Sequence, residues 1–198
     1  MQAPFDKSSP ETYSAVFLKA RRQFIHLWGE MASHWGISKT MAQIFALLFS
    51  TPYPMDTDSI MEELFISRGN AHINLKKLIE WGLVRKLEKI DARRDFYIAE
   101  KDIWVLTINI IQHRQNQEIF PIAEAIQNLL QSLKTQTEKA PPSPSINFPT
   151  NEQLLQTQLE DLLLVIQKLN LLAEIILPIL MEKDWRRLDT VFQKLQQA

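Results

Sequence analysis

The chain has 198 residues, no cysteine and a formal net charge of −1. Its length suits one domain with extensions or two small domains. The lack of cysteine excludes disulfides, zinc fingers, iron–sulfur sites and cysteine nucleophiles. The N-terminal residues lack the order of a signal peptide, and the most apolar run, Leu171 to Met181, is short and contains Glu174 and Pro178. The sequence therefore predicts a soluble, cytoplasmic protein without a membrane partner.

Basic charge is concentrated in one segment of the chain. Ser67 to Lys101 contains nine Lys and Arg residues against five Asp and Glu residues, a surplus of +4, which leaves −5 for the remaining residues. The basic charge is thus local, although the chain as a whole is nearly neutral.

Two helices are predicted near the start of the chain. Apolar residues at helical spacing indicate the first from about Pro10 to Trp35, and Gly36 ends it. The second spans Ser38 to Ser50, with Ser38 as its N-cap.

A short helix and a longer one follow, separated by a tight turn. Asp56 caps the short helix, and the turn lies at Phe65-Ile66. Ser67 caps the longer helix, which runs to Trp81 and is closed by the glycine that follows.

The helical period then disappears from Leu83 to Ala99. Two runs of β-compatible residues flank the polar residues DARR there, which indicates a hairpin. A long apolar-striped helix is predicted from Asp102 toward Leu133, with a kink or break at Pro121.

The C-terminal part is predicted as a linker followed by two helices. Residues 137–150 are rich in proline and serine, as in an extended linker. Thr150 and Gln153 form a capping box that opens a helix. Pro178 is expected to separate this helix from a last one around Trp185 to Leu195.

The order of elements predicts a mainly α fold with a small β-hairpin wing. A winged helix-turn-helix domain is expected between long N- and C-terminal dimerisation helices. The predicted divisions are an N-terminal dimerisation helix (1–36), a winged helix-turn-helix DNA-binding domain (37–101), a connecting helix (102–136), the linker (137–150) and a C-terminal helical dimerisation region (151–198).

Helical spacing divides the helix that begins at Ser67 into two faces. The predicted buried face consists of Ala71, Leu75, Leu78 and Ile79. The opposite face consists of Gly69, Asn70, Ile73, Lys76 and Lys77. Lysines suit phosphates, an amide suits base edges, and an isoleucine suits a thymine methyl in the major groove. A solvated face with one stray apolar residue is the alternative interpretation of this helix taken alone.

The predicted hairpin tip is also basic. Asp91 and Arg93 lie two residues apart, so the carboxylate is expected to orient the guanidinium, and Arg94 adds a second positive charge. A basic tip beside a basic helix can place arginines in the minor groove next to the major-groove site. Charged hairpin tips are common, so the prediction of nucleic-acid binding depends on the helix and the hairpin together.

Three segments resemble the GbsR-type branch of the MarR family of bacterial winged-helix transcription regulators: HWGISKTMAQIFALLFSTPYPMD, ISRGNAHINLKKLIEWGLV and DARRDFYIAEKDIW. The resemblance covers roughly His26 to Ile111, about half of the chain. It implies a homodimeric repressor or activator that binds a palindromic operator and is often controlled by a small molecule. Two residues depart from the family pattern: Phe65, in a turn that usually has a small or polar residue, and Ala92, at a wing tip where glycine is frequent.

The helix, the hairpin and the resemblance together give ten candidate contacts to double-stranded DNA. They are Ser67, Arg68, Gly69, Asn70, Ile73, Asn74, Lys76, Lys77, Arg93 and Arg94. We therefore predict a DNA-binding transcription regulator, a repressor rather than an activator.

The same sequence suggests a homodimer and a small-molecule effector. The stretch Leu154 to Leu180 is apolar on more than one face, so two copies would bury each other around a two-fold axis. Four aromatic residues near the predicted junctions are candidates for binding an apolar or cationic effector: Trp28, Trp35, Tyr53 and Trp104. Packing of a core or hinge is the alternative role for each.

Motifs of enzymes are absent from the sequence. It contains no phosphate-binding loop, no HExxH and no GxSxG, and its four histidines are scattered. The sequence therefore predicts no cofactor, no metal and no catalytic residue. The rival interpretations are a winged-helix protein-interaction module that uses Ile73 and the wing, and a small metal-dependent enzyme.

Overall fold

The computed structural model describes residues 13–91, 94–139 and 150–196. The chain divides into two compact units, Met1–Lys101 and Asp102–Ala198. The elements of the first unit are α1 (Ala15–His34), α2 (Lys39–Phe49), β1 (Met55–Asp56), α3 (Thr57–Leu64), α4 (Arg68–Glu80), β2 (Val84–Asp91) and β3 (Arg94–Ala99). Those of the second unit are α5 (Ile103–Arg114), a π-helical turn (Gln115–Ile119), α6 (Phe120–Lys139), α7 (Asn151–Glu182) and α8 (Trp185–Gln196).

The predicted helix starts are found in the structure. The side chains of Ser38, Asp56 and Ser67 accept backbone N–H groups at the starts of α2, α3 and α4. These caps satisfy donors that have no partner inside the helix. Local sequence therefore determines where each helix of the helix-turn-helix begins.

The sheet of the first unit has three antiparallel strands in the order β1-β3-β2. Met55 pairs with Tyr97 across β1 and β3, and Val84 pairs with Ala99 across β2 and β3. The hairpin of β2 and β3 is the predicted wing. Strand β1 was not predicted, because two residues are too short to show an alternating pattern.

The core of the first unit is centred on α2, which packs against α1, α4 and β3. Ile44, Leu47 and Leu48 of α2 are at most 1% exposed. Each such side chain contributes about 2 kcal/mol to folding when it is removed from water. This core supports the helix-turn-helix from behind and leaves the outer face of α4 uncovered.

The predicted kink at Pro121 takes the form of a π-helical turn. The chain stays helical from α5 to α6, and the irregular segment Gln115–Ile119 lies just before the proline. The backbone N–H of Phe120 donates to the carbonyl of Gln115, one residue further back than in an α-helix. Pro121 has no backbone N–H to donate to the preceding turn, and irregular helical turns are common where a proline interrupts the hydrogen bonds.

The prediction that Pro178 separates two helices is wrong. Helix α7 contains Pro178 and continues to Glu182, after which Lys183 adopts a left-handed conformation with φ 54°. Leu177 and Ile179 beside the proline are buried. A proline removes one helical hydrogen bond, and packing of the flanking residues can outweigh that loss.

Helix α7 starts at the predicted capping box, in which Thr150 and Gln153 bond each other reciprocally. Because it is unbroken, it is long and apolar enough to cross a membrane by length and composition alone, which the sequence prediction did not recognise. Packed helices of other proteins pass the same test. Helix α6 extends to Lys139, so residues 137–139 are helical rather than linker. Residues 140–149 of the predicted linker lie outside the described residues.

Candidate nucleic-acid interface

The helix-turn-helix consists of α3, a tight turn and α4, which pack against each other. Ile60 of α3 and Ala71 of α4 are completely buried. The Asp56 carboxylate accepts the Ser59 N–H at 2.8 Å, and the Ser67 hydroxyl accepts the Asn70 N–H at 3.3 Å. Both helices are thus fixed at their N-termini, which orients the outer face of α4.

The turn contains an aromatic residue in an unfavourable conformation. Phe65 has φ 54°, and it is 95% exposed. A left-handed conformation costs a side chain with a Cβ about 1–2 kcal/mol. The turn therefore contains backbone strain at Phe65, and it displays an apolar ring to solvent.

The two faces of α4 differ from the prediction at one pair of positions. Ala71, Leu75 and Leu78 are buried as predicted, whereas Ile79 is 39% exposed and Asn74 is only 4% exposed. At 100° per residue, positions 74 and 79 lie about equally far from the centre of the buried stripe, on opposite sides of it. The face was assigned by hydrophobicity, which selected the isoleucine over the asparagine.

Asn74 was predicted to contact DNA, but the structure buries its side chain. Its Nδ2 donates to the backbone carbonyl of Asn70 at 2.8 Å and to Asn70 Oδ1 at 2.7 Å. Its Oδ1 accepts the Ser38 hydroxyl at 3.2 Å. Asn74 therefore holds the Asn70 side chain in place from the buried side of the same helix. Because it is buried, it does not itself reach a partner molecule.

The remaining outer face of α4 is exposed. Gly69, Asn70, Ile73, Lys76 and Lys77 all belong to it, as do Ser67 and Arg68 at its start. Ile73 is 58% exposed. Two of the cations are paired within the chain: Arg68 with Asp58 of α3, and Lys76 with Glu80 at 3.9 Å. Both pairs are solvent-exposed, so they contribute little and can exchange for other anions.

Gly29 and Gly69 are both helical, but only Gly29 is explained by close packing within the chain. A Cβ on Gly29 of α1 would lie 2.8 Å from Gln43 Cγ, so close packing of α1 on α2 explains that glycine. A Cβ on Gly69 would meet nothing within 4 Å. Glycine in a helix costs about 0.8–1.0 kcal/mol relative to alanine. The packing of this chain gives no reason for Gly69.

The wing is attached to α3 by an ion pair that the sequence did not predict. Arg94 Nη1 lies 2.8 Å from Asp56 Oδ2, and the Asp56 side chain is 7% exposed. Burial alone would raise the pKa of Asp56, but hydrogen bonds from Ser59 and Arg94 outweigh burial and lower it. Arg94 therefore anchors β3 to the N-cap of α3, and its contact with DNA stays a prediction. Arg93 and the predicted Asp91–Arg93 contact lie outside the described side chains.

The three candidate effector residues of the first unit lie in different surroundings, and the fourth, Trp104, belongs to the second unit. Trp28 packs against Phe24 and Phe45 with ring centroids 5.6 and 6.1 Å away. The ring centroid of Trp104 lies 4.8 Å from that of Trp185. Trp35, at the end of α1, is 64% exposed.

Tyr53 lines a cavity of about 750 Å³ in the first unit. Arg22 and His26 of α1 and Glu62 and Glu63 of α3 also line this cavity. Among the described residues, no group of three or more His, Asp or Glu side chains is placed to hold a metal ion.

Comparison with known proteins supports the fold. The structure is similar to a crystal structure of a transcriptional regulator, with a TM-score of 0.62 and 13% sequence identity over 82% of this chain and 99% of the other. This likeness shows the predicted fold class, a mainly α winged helix-turn-helix fold with a small sheet. No model of a known family and no curated protein matches the sequence.

Proposed function

We propose that the chain is a DNA-binding transcription regulator, a repressor similar to the GbsR-type branch of the MarR family, that inserts α4 into the major groove of a palindromic operator. The observation that carries this proposal is the outer face of α4, where an unexplained glycine, an amide, an exposed isoleucine and lysines follow a firmly capped N-terminus. The likeness to a transcriptional regulator of similar length supports it. No catalytic step is part of the proposal.

Each residue on this face has a distinct role in the proposed complex. Lys76 and Lys77 bind phosphates, and Ile73 contacts a thymine methyl. Asn70 reads a base edge. Because Asn70 Oδ1 already accepts a hydrogen bond from Asn74, we expect its Nδ2 to donate to an acceptor such as guanine O6 or thymine O4.

The wing supplies the second part of the interface. Arg93 enters the minor groove, and Arg94 holds the base of the wing to α3 through Asp56. The wing and α4 then approach DNA as one body, since Asp56 also caps the first helix of the helix-turn-helix.

The alternative is a winged-helix module that binds another protein. Phe65 and Ile73 favour it, because both are large, apolar and exposed, at 95% and 58%. The two functions differ in salt dependence. Binding to DNA through several phosphates weakens steeply as salt rises, whereas an apolar protein contact does not.

Replacing Lys77 with alanine tests the proposal. With a duplex selected from a random-sequence pool, the affinity of the parent chain is expected to fall linearly with salt on logarithmic axes. The variant should lose affinity on all sequences. The slope of log affinity against log salt concentration should become shallower by about 0.9 for the lost phosphate contact. Fluorescence anisotropy at several salt concentrations measures both quantities.

Lys19→Ala is the control for this titration, since Lys19 is an exposed lysine on α1. It should bind like the parent at every salt concentration. If Lys77→Ala also binds like the parent, or if the parent selects no duplex, α4 is not a recognition helix.

Gly69→Ala is expected to have opposite effects on folding and binding. The backbone is helical and the space is open, so alanine should raise the free energy of unfolding by about 0.4–1 kcal/mol. The added methyl should weaken duplex binding, because it separates α4 from the DNA backbone. Urea unfolding and a duplex titration measure the two effects. Gly29→Ala is the contrasting variant and should destabilise the fold. Unchanged DNA affinity in Gly69→Ala would contradict close approach at this position.

The proposal also includes a homodimer and a small-molecule effector. Of the four aromatic candidates, Tyr53 is the one that lines the cavity described above, so we propose that cavity for the effector. Glu63 in its wall binds Arg21 of α1. An occupant could therefore change how α1 is held against α3, and hence the placement of the recognition helix.

A further inference from the structure

We infer that α7 pairs in antiparallel orientation with α7 of a second copy of the chain, with the two-fold axis close to residue 164. The inference rests on the homodimer in the proposed function, and it adds the contact surface, the direction and the register. Two independent patterns on α7 support it, one apolar and one charged.

Helix α7 carries a first apolar stripe, here called the inner seam, that is used within its own unit. Its members are at least half-buried and repeat at alternating steps of four and three residues: Leu159, Leu163, Ile166, Asn170, Ala173 and Leu177. Two polar contacts accompany it. Lys134 of α6 lies 3.0 Å from Glu160, and Gln115 lies 3.5 Å from Asn170. The inner seam packs α7 against α5 and α6.

A second stripe, here called the outer seam, lies beside the first. It has the same three-and-four spacing and consists of Leu155, Leu162, Val165, Leu169, Leu172 and Ile176, with Gln158 at the remaining position. Leu162, Val165 and Leu169 are 47%, 54% and 59% exposed. Three heptads of large apolar residues at this spacing are the pattern with which one helix pairs with another.

Two opposite charges flank the outer seam, one heptad apart. Asp161 and Lys168 immediately precede Leu162 and Leu169, they are exposed, and neither pairs with another described residue. In an antiparallel pair these flanking positions face each other, so Asp161 of each copy meets Lys168 of the other. In a parallel pair they would face Ile166 and Ala173, which belong to the inner seam. Charge complementarity therefore selects the antiparallel arrangement.

The charges also set the register. When Asp161 faces Lys168 of the second copy, Leu162 lies opposite Val165 and Leu155 lies opposite Leu172. At the two ends of the seam, Leu154 then faces Ile175 of the second copy. In this register Leu169 lies opposite Gln158, so the apolar contacts of the outer seam are the Leu162–Val165 and Leu155–Leu172 pairs of the two copies.

A lipid bilayer is the competing partner for α7. Lys168 and Glu174 lie in the middle of the apolar stretch, and each would cost about 2.5–3.5 kcal/mol at the centre of a membrane. The inner seam is moreover occupied by α5 and α6, whose presence prevents α7 from entering lipid alone. A second copy requires only the outer seam.

Cysteine cross-linking of the complete chain tests the direction and the register, since the sequence has no native cysteine. The double variant Leu154→Cys/Ile175→Cys is expected to give a covalent dimer on mild oxidation or with a short bismaleimide. The two positions are 21 residues apart, about 32 Å along one helix, so they cannot join within a chain. Leu154→Cys alone should stay uncross-linked. Leu155→Cys alone should also stay uncross-linked, because Leu155 faces Leu155 of the second copy only in a parallel pair.

Charge reversal gives a second measurement that needs no cysteine. Asp161→Lys is expected to raise the dissociation constant of the dimer on the order of tenfold, since two attractive contacts become repulsive. The double variant Asp161→Lys/Lys168→Asp should restore the parent value. Sedimentation equilibrium without DNA measures all of these, so loss of DNA binding alone would leave the result unchanged.

The remaining outcomes overturn the inference in distinguishable ways. Cross-linking of Leu155→Cys alone would show parallel pairing. A parent dimer without cross-linking of Leu154→Cys/Ile175→Cys would show another interface. The homodimer stands in both cases. A monomeric parent chain would remove the inference and the homodimer together. Flotation of the parent with vesicles of phosphatidylcholine and phosphatidylglycerol would assign α7 to the bilayer.

Discussion

Replacing Glu63 with alanine is expected to lower the free energy of unfolding by about 2–4 kcal/mol. Both carboxylate oxygens of Glu63 bind Arg21 Nη2, at 2.9 and 3.0 Å, and the Arg21 side chain is 6% exposed. Among the described residues its Nε has no hydrogen-bond partner, and the Tyr13 ring centroid lies 5.9 Å from its Cζ. The carboxylate is therefore the main compensation for a buried cation. Removing one member of a buried pair typically costs about 3–5 kcal/mol, and the 43% exposure of Glu63 reduces this value.

Arg68→Ala is the matched control, because Arg68 also pairs with a carboxylate of α3. That pair is exposed, with 71% and 53% of the two side chains accessible, so its loss should change stability by less than about 0.5 kcal/mol. Urea unfolding of the complete chain measures both variants. The double variant Arg21→Met/Glu63→Leu should recover most of the stability. Equal losses in Glu63→Ala and Arg68→Ala would mean that Arg21 is hydrated.

The features that the sequence predicted well are those that short segments determine. A cap needs one side chain and a backbone N–H two or three residues away, and the caps at Ser38, Asp56, Ser67 and Thr150 all form. The hairpin was likewise visible as two β-compatible runs around a polar tip. The fold class follows from the order of such elements, which is why it was predicted without knowledge of any distant contact.

The features that were missed depend on contacts between distant residues. Strand β1 exists because Met55 pairs with Tyr97, more than forty positions away in the chain. Helix α7 continues through Pro178 because the residues on either side are packed. In both places tertiary structure decides between local alternatives of similar energy.

The candidate site shows the same division. Periodicity located the outer face of α4, but it could not show that Asn74 is buried, since an asparagine is favourable inside only when partners such as Ser38 and Asn70 are available. Nor could it show that Arg94 reaches Asp56 across the sheet. Polar residues can be assigned a role from sequence only when their partner is near in the chain.

Substitutions of Asn70 and of the buried Asn74 are expected to have the second large effect, a loss of discrimination between DNA sequences. Asn70→Ala should cost about 1–3 kcal/mol of discrimination at one base pair of the selected duplex. Asn74→Ala should lose most of the same discrimination without contacting DNA, because its Nδ2 orients Asn70 Oδ1 from 2.7 Å away. The double variant should lose no more than Asn70→Ala alone, since both changes remove one interaction. Titrations with duplexes that differ at single base pairs measure the losses.

Asn74→Ala could reduce discrimination either by destabilising the fold or by freeing the Asn70 side chain, and a control variant separates the two causes. Leu75→Met on the same buried face should lower stability by less than about 1.5 kcal/mol, comparable to the loss of a buried hydrogen bond, while leaving Asn70 in place. It should retain full discrimination at a temperature where circular dichroism shows all variants folded. If Asn70→Ala and Asn74→Ala have additive effects, Asn74 does not act through Asn70. Leu75→Met and Asn74→Ala share only their position on the buried face of α4. If Leu75→Met also loses discrimination, the placement of α4 as a whole, rather than the orientation of Asn70, determines which base is read.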